Sequence, residues 1–169
     1  MQIAETNRFL LRQLRPDDAA FVLEIVNSPG WLRFIGDRGV HDLEGAAKYI
    51  RKNVNNYQAL GFGLYAIEMK DSGEVAGMCG LLKRDYLPAA DIGYALLPRF
   101  EGLGLAQEAG RSVVKYAKDV LQMTSLFAIV TPQNSRSISL LEKIGFQFSK
   151  EITENNEQLL VYEWTAPSV

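Results

Sequence analysis

Apolar residues at helical spacing predict four helices along the chain. The first follows Arg15-Pro-Asp-Asp18 and ends at Ser28-Pro-Gly30, and the second begins at Asp42. A strongly amphipathic helix is predicted over residues 105–119, and a shorter one over residues 134–144. Residues 31–39 lack a clear period, which predicts a loop or a short helix there.

The remaining apolar segments have an extended pattern. Residues 126–130 are wholly apolar, which is typical of a central strand covered on both faces. A turn at residues 70–74 indicates a hairpin between two neighbouring strands. The predicted strands cover residues 9–14, 62–68, 75–82, 90–97, 126–130, 146–148 and 159–164.

The order of these elements predicts the fold class. One strand and two helices precede three consecutive strands, and an α-β-α-β-β segment completes the chain. This order indicates an α+β sandwich with a mixed sheet and not a repeated βαβ series. A length of 169 residues without repeats or linkers predicts one domain over residues 1–169.

Composition and charge exclude several classes of function. The 18 basic and 20 acidic residues are nearly balanced and form no basic run, so neither nucleic acid nor an anionic membrane is expected as a partner. Cys79 is the single cysteine, and no Cys/His cluster predicts a metal site. No signal-like or membrane-spanning segment is apparent, and a cytoplasmic protein is expected.

A Gly-rich turn between a strand and a helix is the main candidate site. The apolar run up to Leu97 ends at Pro98, and the turn Arg99-Phe-Glu-Gly-Leu-Gly-Leu-Ala106 leads into the amphipathic helix. The N–H groups at a helix start are unpaired and favour anions, and glycine lets a phosphate approach the backbone closely. A phosphate-bearing ligand is therefore expected at Arg99, Phe100, Glu101, Gly102, Leu103, Gly104, Leu105 and Ala106.

Three other interpretations of Gly102-Leu-Gly104 compete with a phosphate site. A turn that merely needs positive φ is the simplest. A dinucleotide-binding fingerprint would need a third glycine where Gln107 stands, and an early position within a βαβ unit. A P-loop would need a Gly-Lys-Ser/Thr ending, which is absent.

Features outside the turn point to a known family. Arg99-x-x-Gly102-x-Gly104 resembles the acyl-CoA pyrophosphate motif of the GCN5-related N-acetyltransferases (GNAT), and the segment from Asn134 to Gly145-Phe146 resembles their second signature. The pair Asn134 and Ser137 is similar to the form found in the RimJ/RimL-like ribosomal-protein alanine N-acetyltransferases. Segments 11–18 and 89–98 are also similar to that subgroup, so the resemblance covers nearly the whole chain.

The resemblance implies a fold and a cofactor site. The fold would be a mixed, mostly antiparallel twisted sheet of about seven strands with about four helices, splayed between the fourth and fifth strands. Backbone amides of residues 99–104 would hold the pyrophosphate of acetyl-CoA, with Leu105 and Ala106 behind it. The Leu96 amide would polarise the acetyl carbonyl, and the Leu97 main chain and Asn134 would contact the pantetheine arm. Asn134 also suits the N-cap of its helix.

Catalytic roles are less clearly indicated. Many relatives place a tyrosine on the helix after the Asn, but Leu141 occupies that position. Ser137 is the candidate substitute, which would protonate the leaving thiolate or hold a water, unless it is an ordinary helical serine. Asp91 is the candidate base, because strand alternation groups it with small residues on one face that could stay open. Alternatively it ties a strand start to a loop, and Glu68 is the reserve candidate.

The acceptor site is expected where two connections border the groove in relatives. Its candidate residues are Trp31, Arg33, Phe34 and Tyr86, although the aromatic side chains would equally suit packing against the second helix. Cys79 is expected to be buried filler, and His41 has no evident chemistry.

The predicted function is transfer of an acetyl group from acetyl-CoA to a primary amine, by direct attack of the neutral amine. The acceptor would be a protein N-terminal α-amine or a small molecule such as a polyamine or antibiotic. A catalytically silent acyl-CoA-binding module is the alternative, because the tyrosine is missing. A monomer or a homodimer is expected.

Overall fold

The computed structural model describes residues 1–168 and contains a single sheet covered by helices on both faces. Its helices are α1 (Ala19–Val26), α2 (Pro29–Phe34), α3 (Leu43–Leu60), α4 (Leu105–Asp119) and α5 (Ser135–Lys143). Its strands are β1 (Gln2–Glu5), β2 (Phe9–Gln13), β3 (Leu64–Met69), β4 (Val75–Leu82), β5 (Asp91–Leu96), β6 (Ser125–Val130), β7 (Gln147–Glu154) and β8 (Glu157–Thr165). Short 3₁₀ turns cover Pro16–Asp18 and Pro98–Phe100.

The strands have the order β1-β2-β3-β4-β5-β6-β8-β7, and all neighbours are antiparallel except β5 and β6. Between that parallel pair, only Asp91 and Phe127 stand in register, and the Phe127 amide donates to the Ala90 carbonyl at 2.9 Å. Beyond this point β5 and β6 diverge. The sheet is therefore splayed between them, as the resemblance predicted for its fourth and fifth strands.

Apolar stripes place the helices on opposite faces of the sheet. The side chains of Leu105, Ala109, Val113 and Ala117 recur at helical spacing on α4 and are fully buried against one face, together with Leu141 of α5. Helices α1, α2 and α3 pack a second cluster on the other face. The N-terminal cap of α3 is the Asp42 side chain, which accepts from the Gly45 amide at 2.7 Å.

The predicted α+β fold is confirmed, with one more strand and one more helix than expected. The extra strand is β1, which pairs with β2 across an irregular register. The extra helix is α2, which begins at Pro29 because proline suits the first turn of a helix. The strand expected over residues 146–148 extends to Glu154, and a turn at Asn155 and Asn156 joins it to β8.

Candidate functional site

The Gly-rich turn presents a run of unpaired backbone amides at the start of α4. Gly102 and Gly104 have φ angles of 78° and 77°, a left-handed conformation that favours glycine. Within residues 1–168 the N–H groups of residues 102–107 have no protein acceptor. The Phe100 and Glu101 amides, in contrast, donate to the Leu97 and Pro98 carbonyls at 2.9 and 3.2 Å.

This arrangement moves the candidate anion site toward the helix. The sequence predicted that the amides of residues 99–104 bind the anion, but the 3₁₀ turn already uses two of them. The unpaired donors begin at Gly102 and continue through the first turn of α4, where the helix dipole also favours negative charge.

A cleft of about 400 Å³ lies between this turn and α5. Among the predicted cofactor residues, it is lined by Leu96, Glu101, Gly102, Gly104, Leu105 and Ala106. The opposite wall belongs to α5. Lining residues that the sequence did not indicate are Gln107 on α4 and, on α5, Ser135, Arg136, Ser139, Leu140 and Lys143. Two cations and a run of free amides in one cleft suit a ligand with several phosphate charges.

The remaining predicted turn residues lie outside the cleft lining. The Arg99 side chain pairs with Glu24 at 2.7 Å and Glu74 at 3.5 Å, and its guanidinium lies over the Phe100 ring at 5.3 Å. Leu103 is 56% exposed at the tip of the turn. These residues therefore shape the turn but do not face the cleft.

Arg8, which lies near the start of the chain, binds the Gly-rich turn. Its guanidinium donates to the Leu103 carbonyl at 2.7 Å and to the Glu108 carboxylate at 2.9 and 2.5 Å. Glu108 lies in the first turn of α4. Burial acts to raise the pKa of its carboxyl, but hydrogen bonding with Thr6 and Arg8 and the Arg8 charge together lower that pKa. Arg8 thus offsets a negative charge beside the anion site.

The backbone amides along β5 point alternately toward β4 and toward the splay. The Leu97 amide donates to the Ala76 carbonyl of the β4 side at 2.9 Å, so the Leu96 amide points to the opposite edge, toward the splay. This is the direction that a donor to an acyl carbonyl needs. The Leu97 side chain is buried and its carbonyl accepts from Phe100, which leaves one lone pair of that oxygen for another donor. The contact of the Leu97 main chain with the pantetheine arm stays a prediction.

Asn134 and Ser137 lie at the start of α5, on the other side of the splay. The Asn134 side chain accepts from the Ser137 amide at 3.2 Å, so it is the N-cap of α5. The Ser137 hydroxyl lies 2.5 Å from the hydroxyl of Tyr94 on β5. Leu141, at the position of the family's tyrosine, is 1% exposed and packs in the core.

Asp91 opens β5 at the point where the splay begins. It is 1% exposed, its Oδ2 accepts from the Arg84 Nε at 3.1 Å, and its Oδ1 is buried without a hydrogen-bond partner. Burial raises the pKa of Asp91 to about 6, although the Arg84 charge opposes the rise. Such a carboxylate is suited to accept a proton near neutral pH.

One expectation about the base needs correction. The face that Asp91 shares with Gly93 is not open, because a Cβ at Gly93 would lie 3.1 Å from Leu82 and 3.8 Å from Leu64. The reserve candidate Glu68 lies on β3 and binds the Arg12 guanidinium at 2.5 Å, just as Asp91 binds Arg84 of the connection before β5.

The candidate acceptor residues differ in exposure. Trp31 is 6% exposed and packs in the cluster under α1 and α3, so it has the packing role that was the alternative. Arg33 lies over the ring of Phe34 at 4.8 Å on α2. Tyr86 is 37% exposed in the connection before β5, two residues after Arg84. Arg33 and Tyr86 are thus exposed, Phe34 is half-buried, and the burial of Trp31 does not favour contact with an acceptor.

Thr131 is a further residue that the sequence did not indicate. It follows β6 at the splay, and its hydroxyl is buried without a hydrogen-bond partner in the described part of the chain. An unpaired buried hydroxyl is costly unless a ligand or water satisfies it.

Residues 1–168 contain no group of three or more His, Cys, Asp and Glu side chains placed to hold a metal ion. No helix in that range combines the length and the apolar character needed to span a membrane.

Comparison with known proteins identifies the family. The model of the acetyltransferase (GNAT) domain matches residues 8–147. The uncharacterised protein YkkB of Bacillus subtilis is 31% identical over 94% of this chain and 92% of its own length. The crystal structure of an acetyltransferase from Agrobacterium tumefaciens is 26% identical with a TM-score of 0.83, covering 98% of this chain and 95% of that one.

More distant relatives have different acceptors in their names. The spermidine N(1)-acetyltransferase of Escherichia coli is 23% identical over 84% of this chain and 74% of its own length. The alanine N-acetyltransferase of ribosomal protein uS5 from the same species is 25% identical over 70% of this chain and 54% of its own length. The family match is firm, and this chain is an acetyltransferase that belongs to the GNAT family.

Proposed function

We propose that this protein transfers an acetyl group from acetyl-CoA to a primary amine. The observation that carries the proposal is the cleft between the start of α4 and α5, at the mouth of the β5–β6 splay. Its unpaired amides from Gly102 to Gln107 and its cations Arg136 and Lys143 fit the pyrophosphate of CoA. Acetyl-CoA would supply the activated acyl group.

The residues around the splay would have different roles in acyl transfer. The Leu96 amide would donate to the acyl carbonyl as negative charge develops on its oxygen. The Asn134 side-chain NH₂ remains available to the pantetheine arm, because its N-cap contact uses only the carbonyl oxygen. The Thr131 hydroxyl would gain the partner that it lacks in the protein.

Asp91 would accept the proton that the attacking amine loses. Its pKa of about 6 keeps it ionised at neutral pH but close to the range of useful bases. A protein α-amine has a reference pKa of about 7.8 and a lysine amine about 10.4, so the α-amine is neutral more often and demands less of this base. We therefore favour an N-terminal α-amine as acceptor, in line with the weak RimJ/RimL-like resemblance.

Thiol release from acetyl-CoA tests the proposal directly. The assay would compare a peptide with N-terminal alanine, the same peptide with its N-terminus blocked and one internal lysine, spermidine, and an aminoglycoside. Thiol release with the first peptide alone supports the α-amine acceptor. Turnover with spermidine or the aminoglycoside alone would replace that acceptor, and CoA binding without turnover on any of them would contradict the transfer itself. The monomer or homodimer and the cytoplasmic location stay predictions.

A further inference from the structure

A pair of hydroxyl groups joins β5 to α5 across the splay. The Tyr94 Oη lies 2.5 Å from the Ser137 Oγ and 3.2 Å from the Ser137 carbonyl oxygen. Among residues 1–168, Tyr94 is the only hydrogen-bond partner of the Ser137 Oγ. The Ser137 Oγ makes no hydrogen bond to a backbone carbonyl of the preceding turn.

The pair lies where the acyl group is expected. Tyr94 precedes Leu96 by two residues on β5, so the amides of both residues point toward the splay. Their side chains share the face that packs against α4 and α5. The phenol therefore lies on the same side of the cleft as Ser137, in the region that the core position of Leu141 leaves without a tyrosine.

The geometry of the short contact allows either hydroxyl to donate, and the relative acidity of the two groups favours Tyr94 as the donor. Burial raises the pKa of the Tyr94 phenol above its ordinary value, so the phenol remains protonated. Its cross-strand neighbour Cys79 is fully buried, which raises the pKa of the thiol and keeps it neutral as well. A phenol is a stronger acid than an aliphatic alcohol, so it is the better donor of the two. The Ser137 Oγ then accepts from Tyr94 and keeps its own hydrogen free.

We propose that Tyr94 is a positioning residue for the transfer reaction, orienting the Ser137 hydroxyl so that it donates a hydrogen bond to the departing sulfur. The inference rests on the proposed function, since it concerns the leaving group of the same reaction. It assigns a role to a tyrosine from a strand, where many relatives use one from the helix.

The electrons and protons of the step balance without a proton from either hydroxyl. The amine nitrogen forms a bond to the acyl carbon, and the carbon–sulfur bond breaks with its electron pair on sulfur. The amine proton leaves to the base or solvent, and the thiolate accepts the Ser137 hydrogen bond until water protonates it. Full transfer from Tyr94 would be uphill, because a thiol has a reference pKa of about 8.5, well below that of the buried phenol.

Variants that remove single oxygen atoms test this role. Tyr94→Phe and Ser137→Ala are each expected to lower kcat about tenfold while KM for acetyl-CoA changes less than about twofold, because one hydrogen bond to the transition state is lost. The double variant should be no slower than Ser137→Ala, and Ser137→Thr should retain activity. Tyr116→Phe is the control, since its hydroxyl has no partner in the described chain and its ring packs on Tyr65.

A binding measurement makes the test independent of the acceptor. Calorimetry would compare CoA with desulfo-CoA at pH 9, where much of the thiol is ionised. Wild-type protein should bind CoA more tightly than desulfo-CoA, and Tyr94→Phe should lose most of this difference while its affinity for desulfo-CoA stays the same.

The outcomes separate the inference from the proposed function. If the wild-type protein is active but Tyr94→Phe matches it in kcat and in preference for CoA, the positioning role is wrong and the transferase remains. If the wild-type protein binds CoA without turnover, the calorimetric comparison alone decides the role of Tyr94. If the wild-type protein binds no CoA, both proposals fail.

Discussion

Gly102 allows the cofactor proposal to be tested separately from the stability of the turn. It has a φ of 78°, and a Cβ added there would meet no heavy atom within 4 Å. Gly73, in the hairpin between β3 and β4, has nearly the same φ of 74° and equally open surroundings. The two glycines differ in location, because only Gly102 lines the cleft. Gly102→Ala and Gly73→Ala therefore form a matched pair.

The expected cost in stability is the same for both variants. An alanine in the left-handed region costs about 1–2 kcal/mol, and the reduced freedom of the unfolded chain offsets about half of that. A net loss of about 1 kcal/mol lowers Tm by about 2–4 °C in a protein of this size. Neither variant removes a contact, since no atom of the protein approaches either position.

The expected effect on CoA binding is different. A phosphate bonded to the unpaired amides of residues 102–107 approaches the backbone closely, so a methyl group on residue 102 would meet it. We expect Gly102→Ala to weaken CoA binding at least about tenfold, or ~1.4 kcal/mol, and Gly73→Ala to leave it unchanged.

Calorimetry with CoA and thermal unfolding with and without CoA measure both effects. CoA at saturating concentration should raise Tm of Gly73→Ala as much as that of the wild-type protein, and raise Tm of Gly102→Ala less. Wild-type affinity in Gly102→Ala would show that the pyrophosphate does not lie against this turn. Equal losses in both variants would assign the effect to destabilisation and not to the site.

Three further predictions concern charged residues. Burial raises the folded-state pKa of Asp91 above its unfolded value, so the free energy of unfolding is highest, as far as this group is concerned, below about pH 4, and falls by up to about 3 kcal/mol as pH rises through about 6. Asp91→Asn should abolish this pH dependence in urea titrations. The same variant should lose the acidic limb of the kcat/KM profile. Exchanging Arg136 and Lys143 for glutamate should weaken CoA binding at least about tenfold, with a smaller loss in high salt, and an unchanged affinity would remove them from the site. Arg12→Met should destabilise the protein by about 3–5 kcal/mol in urea unfolding, because it leaves Asp18 buried without its bidentate partner, and a loss below about 1 kcal/mol would contradict that reasoning.

Much of the fold could be predicted from the sequence because most elements carry their own periodicity. Helix α4 buries one face at strict helical spacing, and β6 is apolar from Leu126 to Val130, as is typical of a strand covered on both faces. Strand β1 was missed because its four residues are too few to show alternation, and it is held by pairing with β2. Helix α2 was uncertain because its apolar residues serve a shared cluster and not one face.

In the candidate site, too, a local sequence pattern predicts some features, and others depend on contacts between distant parts of the chain. The turn at Gly102 and Gly104 is local, and its glycines indicate the positive φ that the structure has. The ion pair between Arg8 and Glu108 joins residues 100 positions apart, so no local pattern predicts it. The ion pair of Asp91 with Arg84 is closer in sequence, but the burial that raises the pKa of Asp91 depends on tertiary structure, since β4 and β6 flank Asp91 on either side.

Strand β5 explains why these separate features meet in one place. Its first residue, Asp91, is the last that pairs with β6, so the carboxylate lies at the closed end of the splay. Its even-numbered residues, Tyr94 and Leu96, then direct their amides into the widening gap, because antiparallel pairing with β4 uses the donors of the residues between them. The residue after its end, Leu97, begins the turn that carries the anion site. A shift of one residue in the register of β4 and β5 would exchange the two sets of amides, so the β4–β5 pairing decides which backbone donors the cleft receives.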